Sequence, residues 1–540
     1  MSVSKFRKTT PFNGLDLAPA ISRITVLILT WCILPIWIQA QSEMIMQEDK
    51  PLRVEIPAQS ANETYRVLSV GKHGVILFYK SLETKGDSAV NWYFSYYDTN
   101  LRRQWVKAIP LSANMDFEAE SLTHDTLALL FAFSGKKKGI TTGFSILQIV
   151  PEKDLFLITG GMMNDQEEVV SFQVQNGRAW IGINIPGGAG FIRTIVPGSA
   201  RSRTFPLGQG DVIHLRWMKA DSSSLFLDAI VSRTVTRKST EYYLVKYDTS
   251  GTIKKEYLIG TQQGERLLTH LTAISPGGNE LVLGTYGQGA AKQSQKKIVS
   301  DESSGFFSTG FINGIQKNLN FFNFLELNHS GSLVGEQDIA NLKKKASRKN
   351  KPISEFSLDY SIFLHEIKKI DDEYLLLAEV FTPQFRTESF TDFDYYGRPY
   401  TNTYSVFEGY RFLNAVVVSF NSEGKLLWDN TIEIRNIVST ELKSRVFLFS
   451  SGPELVLGYQ SDGKIYSKII RKDETIESLD FSSLELLQPA DKLLSEARGR
   501  TEHWYDHFFL SSGYQEIKNI SRQQDGKRFV FYFSKIRFDR

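Results

Sequence analysis

Cysteine is almost missing from this 540-residue chain: Cys32 is the only one. A single thiol excludes an intrachain disulfide and any zinc site built on several cysteines. Charge of one sign is missing too, with a formal net charge of +3. The first 40 residues hold Lys5, Arg7, Lys8 and Arg23 against Asp16, leaving 59 of the 63 basic and 59 of the 60 acidic residues in the remainder. A body so balanced has no global field to gather polyanions, and nucleic acid is not an expected partner. Composition is otherwise that of a globular protein, 41% hydrophobic, 12% aromatic and 23% charged. That excludes wholesale disorder, collagen-like repeats and a multi-span membrane protein.

Long apolar runs are absent with one exception, Ile24–Ile38, which reads ITVLILTWCILPIWI behind the basic residues just named. It falls short of the roughly 20 apolar residues that span a bilayer and suits a signal-peptide core. Pro35 weakens a helix there, and Ala40 supplies a small residue for cleavage. The expectation is a signal peptide over 1–40, or alternatively an uncleaved anchor with a cytoplasmic basic flank. Either way the body, 41–540, is exported to the periplasm or the cell exterior. Cleavage would remove the only cysteine. Trp31, beside Cys32, is too bulky for a lipoprotein processing site.

Catalytic signatures are also lacking. No GxSxG elbow, HExxH helix, Walker loop or strand-linked GxGxxG occurs. Gly187-Gly188-Ala189-Gly190 reads as a wide turn between strands.

What the chain does have is a succession of short β-rich runs between turn signals, such as Leu127–Phe133, Glu280–Gly284, Glu373–Ala378 and Glu454–Tyr459. Helical patterns are few. Pro489–Arg498 is the strongest, with proline at its start and Gly499 as a stop, and a polar Asp338–Lys349 is weaker. A turn unit recurs: Tyr97-Asp98-Thr99-Asn100-Leu101, Tyr247-Asp248-Thr249-Ser250-Gly251, Leu327-Asn328-His329-Ser330-Gly331 and Phe420-Asn421-Ser422-Glu423-Gly424. In each, an Asp or Asn side chain can hold turn amides while glycine takes a positive φ. Leu101 stands where the glycine should be, so that turn is expected to differ.

These units resemble the inner hairpins of β-propeller blades, especially of the quinoprotein type, and Gly424-Lys425-Leu426-Leu427-Trp428 is the nearest match. The resemblance implies fold and no cofactor. A generic antiparallel sandwich is the alternative, but hairpins repeated along the whole chain call for an architecture that protects edges. Roughly 500 residues at about 40–50 per blade exceed the usual ring, so part must lie in insertions, near 287–316, 339–354 and 384–410. The expected fold is all-β, a single propeller of roughly seven or eight four-stranded blades with one short C-terminal helix. Lys527–Ser534 would close the ring against N-terminal residues.

Three constellations and one charge run remain. His503 and His507, four apart, would share a face if helical and reach one metal, or simply edge an aromatic segment; two histidines do not complete a site, and no metal or cofactor is expected. Asp392-Phe393-Asp394-Tyr395-Tyr396-Gly397 partly imitates a calcium loop, but Tyr396 occupies a ligand position. The third is the aromatic stretch Phe385–Phe412. Its candidate binding residues are Tyr395, Tyr396, Arg398, Tyr400, Tyr404, Phe407 and Tyr410, expected either to pack as a lid or to meet a partner. The basic run Lys343–Lys351 is expected as a solvated, mobile loop, or as a contact for an anionic envelope surface. The reading leans to a non-catalytic, exported binding or scaffolding propeller with a protein or glycan partner at the cell envelope. The alternative is a carbohydrate-active enzyme or glycan-binding module using Asp392 and Asp394.

Overall fold

The apolar runs are continuous because both faces of each strand are buried. Along Leu127–Phe133, Leu127, Leu129 and Phe131 face one hydrophobic cluster while Ala128, Leu130 and Ala132 face the next. Leu375 and Leu377 against Leu376 and Ala378 repeat the arrangement. Strands buried on both sides belong in sheets stacked face to face around an axis.

The computed structural model describes residues 52–61, 63–85, 89–133, 142–199, 201–220, 226–236, 239–260, 266–275, 279–288, 302–329, 336–351, 360–521 and 526–538. The expected signal segment and Cys32 lie outside them. Eight antiparallel sheets follow one another along the chain, seven four-stranded and one six-stranded. We number them as blades 1 (66–112), 2 (115–163), 3 (168–206), 4 (213–259), 5 (266–323), 6 (360–439), 7 (447–483) and 8 (491–537 with 53–57). The first strands of blades 2, 3, 4 and 5 touch in turn around the axis, as do those of blades 7 and 8, and fourth strands such as Ile253–Ile259 are largely exposed. The outermost strand of blade 8 is Arg53–Pro57, paired antiparallel with Lys527–Arg537 from Arg53↔Ser534 to Pro57↔Val530. The ring therefore closes as expected, by joining the two ends of the described chain. This is an eight-bladed β-propeller.

Hydrophobic clusters fill the contacts between blades 1 and 2, 2 and 3, and onward to 6 and 7, and again between 8 and 1. Between blades 7 and 8 an aromatic contact of Phe447 and Phe449 with Phe509 is joined by a buried polar network. Gln460 of blade 7 donates to Glu496 Oε1 (2.9 Å) and to the Tyr532 hydroxyl (2.6 Å), and accepts from Thr501 (2.7 Å) and Ser511 (2.6 Å). Glu496 Oε1 also accepts from Gln515 and Tyr532, and its Oε2 from the Gly463 amide. Burial holds the Tyr532 hydroxyl protonated, so it donates. Arg53 on the closing strand, its side chain 0% exposed, donates to Gln515 (2.7 Å), pairs with Glu55 (2.9 Å) and lies 4.0 Å over the Tyr532 ring. Glu55 in turn meets Arg528, and Arg528 meets Asp491.

The recurring turn is real and more uniform than expected. At Asp98, Asp248 and Asn421 the side-chain oxygen accepts amides two and four residues on, while the residue three on donates to the backbone carbonyl. Leu101 does not change its turn: it adopts φ 55° in the glycine position, held there by burial against blade 8. Local strain is outweighed by packing. Asn328 departs from the pattern, because its amide and that of His329 donate to Asp429 (2.9 Å each); 330–335 lie outside the described residues.

Three element expectations are corrected. Pro489–Arg498 is no helix; Asp491–Tyr505 is the inner strand of blade 8, paired with Phe508–Asn519, and no C-terminal helix exists among the described residues. Its Leu, Ala and Glu favour helices locally, but a long complementary edge overrides propensity. The 287–316 region is only partly an insertion: Gly305–Ile312 and Ile315–Asn323 are strands of blade 5, and Glu302–Ser303 crosses to pair with blade 6. The basic run up to Lys349 is helical, as the weaker pattern over Asp338–Lys349 predicted, and not a mobile loop. Glu336–Lys349 forms helix α1, which buries Ile339 and Ala346 and leaves Lys343, Lys344 and Lys349 exposed.

Candidate functional site

Two places in this frame hold chemistry that packing does not require. The first is the predicted aromatic segment. Glu373–Phe393 and Pro399–Phe420 are the two longest neighbouring strands, and the next strand pairs only with Tyr410–Phe420. From Gln384↔Gly409 to Phe393↔Pro399 the hairpin therefore runs on as a free two-stranded ribbon, about 30 Å long at strand rise. It leaves the blade at Gly409, where a Cβ would come within 2.8 Å of the Ser439 carbonyl oxygen.

The tip is the fourth copy of the recurring turn. Asp394 Oδ1 accepts the Tyr396 and Arg398 amides, and Gly397 donates to the Asp394 carbonyl. The calcium-like spacing is thus a turn, and Asp394 is occupied in closing it. Tyr395 and Tyr396 stand 97% and 79% exposed in edge contact, with Arg398 over the Tyr396 ring. Pairing places Arg386, Glu388, Phe390, Asp392, Tyr400, Asn402 and Tyr404 on one face, and Thr387, Ser389, Thr391, Thr401, Thr403 and Ser405 on the other. Tyr404 donates to Glu388 (2.5 Å) and Tyr400 to Asp392 (3.2 Å). That bond, with Arg386 helping, holds the Glu388 carboxyl below its ordinary range. Phe407 and Tyr410 lie at the root, where Tyr410 packs on Phe381. Of the seven predicted residues, Tyr395, Tyr396 and Arg398 meet at the tip, Tyr400 and Tyr404 share the shaft, and Phe407 and Tyr410 anchor it. No lid forms; the shaft and tip rings face solvent.

His503 is in a strand and His507 just beyond its turn, so no helix aligns them. Both lie against Phe449, and the His503 ring bonds to the Asp506 carbonyl. Among the described residues no group of three or more His, Cys, Asp or Glu side chains converges.

The second place was not anticipated. Around the axis a cavity of about 220 Å³ gathers Arg66 from blade 1, Glu120 from blade 2, Arg498 and Arg500 from blade 8, and Glu441, Lys443 and Arg445 from the segment joining blades 6 and 7. A second cavity, of about 310 Å³, lies on the other side of Arg445 and Arg500 and includes His365, Lys368 and Glu502. Glu379, 0% exposed, fixes the joining segment: it accepts the Arg445 amide (2.8 Å), the Val446 amide (3.0 Å) and the His365 ring (2.7 Å). Glu441 bonds Arg66 (3.1 Å) and Lys443 (3.3 Å). Burial alone would raise its carboxyl, but these two cations win and hold it at about 2. Arg500 bonds Glu502 (3.2 Å), whose side chain keeps 27% exposure yet is walled by protein; that enclosure raises its carboxyl against the pull of Arg500. Burial, and then Arg500, bring the Arg445 guanidinium down to about 10. Arg498 and Gly499 form a bulge between Ala497 and Arg500, with Arg498 at φ 56°. A Cβ at Gly499 would meet the Glu496 carboxylate at 2.5 Å, so a larger residue there would have to displace that hydrogen-bonded side chain. These residues come from four distant segments without a shared motif, which is why spacing could not reveal them. The one legible signal was Glu441, Lys443 and Arg445 alternating before a strand.

No family model matches the chain, and no curated protein does. Among solved structures, it is similar to the polysaccharide lyase Uly1 (8% identity, 78% of this chain and 90% of that one, TM-score 0.36). It is also similar to the β-propeller domain of the Trilobed protease from Pyrococcus furiosus (8%, 76% and 99%, 0.33). A third is the periplasmic gluconolactonase PpgL of Pseudomonas aeruginosa (9%, 78% and 99%, 0.32). Likeness at this level assigns no activity, substrate or cofactor; the architecture rests on the sheet order and the joined ends.

Proposed function

We propose that this propeller is an exported, non-catalytic binding or scaffolding component of a bacterial cell envelope that docks a protein partner through its aromatic ribbon. The observation that carries the reading is the exposure of Tyr395 and Tyr396 with Arg398 at the end of a ribbon that, among the described residues, pairs with no further strand along its free length. A fold gains nothing from holding such rings in water, and Tyr and Arg are the residues on which interfaces concentrate their energy. Export is supported by the apolar run Ile24–Ile38 behind its basic flank. The quinoprotein-type likeness of the turns brings no cofactor into this reading.

A glycan is the second reading, favoured by one feature: on the aromatic face, tyrosine rings alternate with carboxylates in the pairs Tyr400–Asp392 and Tyr404–Glu388. Rings stack on sugars and carboxylates accept their hydroxyls. Hydrolysis by an Asp392–Asp394 pair is disfavoured, because Asp394 already accepts two turn amides. The test is capture from native envelopes with the parent chain, a Tyr395→Ser/Tyr396→Ser/Arg398→Ser variant and a ribbon deletion over 384–409. The reading requires one partner to be recovered reproducibly by the parent and lost by both variants. Equal recoveries defeat it, and loss of purified-glycan binding in the same variants would shift it to the second reading.

A further inference from the structure

The axial cavity has a charge balance that its own side chains do not complete. Five cations, Arg66, Lys443, Arg445, Arg498 and Arg500, line it against the carboxylates Glu63, Glu120 and Glu441. Glu63 is engaged by the Gln59 and Ser60 amides in its own turn. Glu441 answers Arg66 and Lys443, Glu120 also acts on Lys443, and Arg500 has Glu502 from the adjoining cavity. Among the described residues, no carboxylate bonds the Arg445 or Arg498 guanidinium. Arg445 is the more telling of the two. It is 8% exposed, its Nη2 reaches only the Ser439 hydroxyl and the Glu441 carbonyl, and its Nε has no partner. The nearby Glu379 carboxylate takes the Arg445 backbone amide instead of the guanidinium. A buried guanidinium beside other cations, with Glu379 and Glu441 acting on it only from a distance, is costly, and such a group ordinarily has a bonded anion.

The rest of the cavity suits one. Glu379 fixes the backbone of Arg445, and the Arg498–Gly499 bulge aims a second guanidinium into the same space. Phe117, lying 5.1 Å from the Arg66 guanidinium, and Tyr514 and Phe531 give apolar walls. Guanidinium forks match planar or tetrahedral oxyanions better than any other ligand group.

We propose that the axial cavity between blades 1, 2 and 8 is a binding site for a small molecule bearing an oxyanion, a carboxylate or a phosphate, clamped between Arg445 and Arg498. The ribbon plays no part in it.

The experiment uses the full chain and two probes, inorganic phosphate and glucuronate, in thermal unfolding and calorimetric titration, with sodium chloride at matched ionic strength as control. The expected result is a rise in midpoint and saturable heat with at least one probe and neither with chloride; which probe succeeds tells phosphate from carboxylate. Arg498→Gln, an exposed position that does not carry the fold, should weaken that binding at least tenfold, as should Arg445→Gln. Tyr395→Ser should bind like the parent. The proposal is overturned if neither probe exceeds chloride, or if Arg498→Gln binds as tightly as the parent.

Discussion

The seam that closes the ring and the ribbon that leaves it are both β-sheet, yet they are built on opposite terms. At the seam Arg53, Gln515, Glu496, Gln460 and Tyr532 share buried hydrogen bonds, each group satisfying several others. Along the ribbon the bonds are exposed pairs, Tyr404 with Glu388 and Tyr400 with Asp392, and no second sheet covers either face. Water competes for the second set and not for the first. The seam spends its side chains on holding the molecule together, and the ribbon keeps its own available.

The contrast breaks first if the seam is removed. A chain ending before Lys527 loses the pairing of Arg53–Pro57 as well as its own last strand, and should show no cooperative unfolding transition. A full thermal midpoint in that truncation would mean the ring does not need its latch. Arg53→Ala comes next. It removes a fully buried cation from Glu55, Gln515 and Tyr532 and should cost about 3–5 kcal/mol, read by chemical denaturation. A middle case is Glu441, half-open in the channel. Its carboxyl falls from an ordinary 4.5 to about 2 on folding, so its contribution is complete above pH 4.5 and lost as pH drops toward 2. Glu441→Gln should lower stability most at neutral pH and converge with the parent as pH drops toward 2, flattening the acid limb in that window; an unchanged limb would contradict the pairing with Arg66 and Lys443. The smallest effect belongs to the ribbon. Replacing 384–409 by a tight turn should shift the midpoint by no more than about 2 °C, and a large drop would show that the ribbon is structural after all.

Much of the frame was legible because its causes are local. Runs such as Leu127–Phe133 need two apolar neighbours, and Asp98, Asp248 and Asn421 carry their turn chemistry within five residues. The errors came where distant contacts decide. Asp491–Tyr505 has helix formers but meets a strand edge and Arg528. Leu101 accepts a strained φ because blade 8 covers it. The ribbon's rings were visible as an anomaly, though their projection depends on a register no composition can specify. The axial cluster was invisible, since Arg66, Lys443, Arg445 and Arg498 become neighbours only when the circle shuts.

The latch has a consequence for how the molecule is made. Arg53 and Gln515, bonded in the finished ring, stand 462 positions apart in the chain. The first described strand must wait, edge bare, for the last to be synthesised, and its partner blade stays incomplete until then. Loop-closure entropy makes that final meeting slow, so for most of its assembly the polypeptide is an open arc with one adhesive rim at each end. The strand that closes the ring must satisfy two unlike demands at once, the charged contacts of Arg53 and Glu55 and the apolar packing of Val54 and Ile56 against blade 1, so a strand of another pattern fits it poorly.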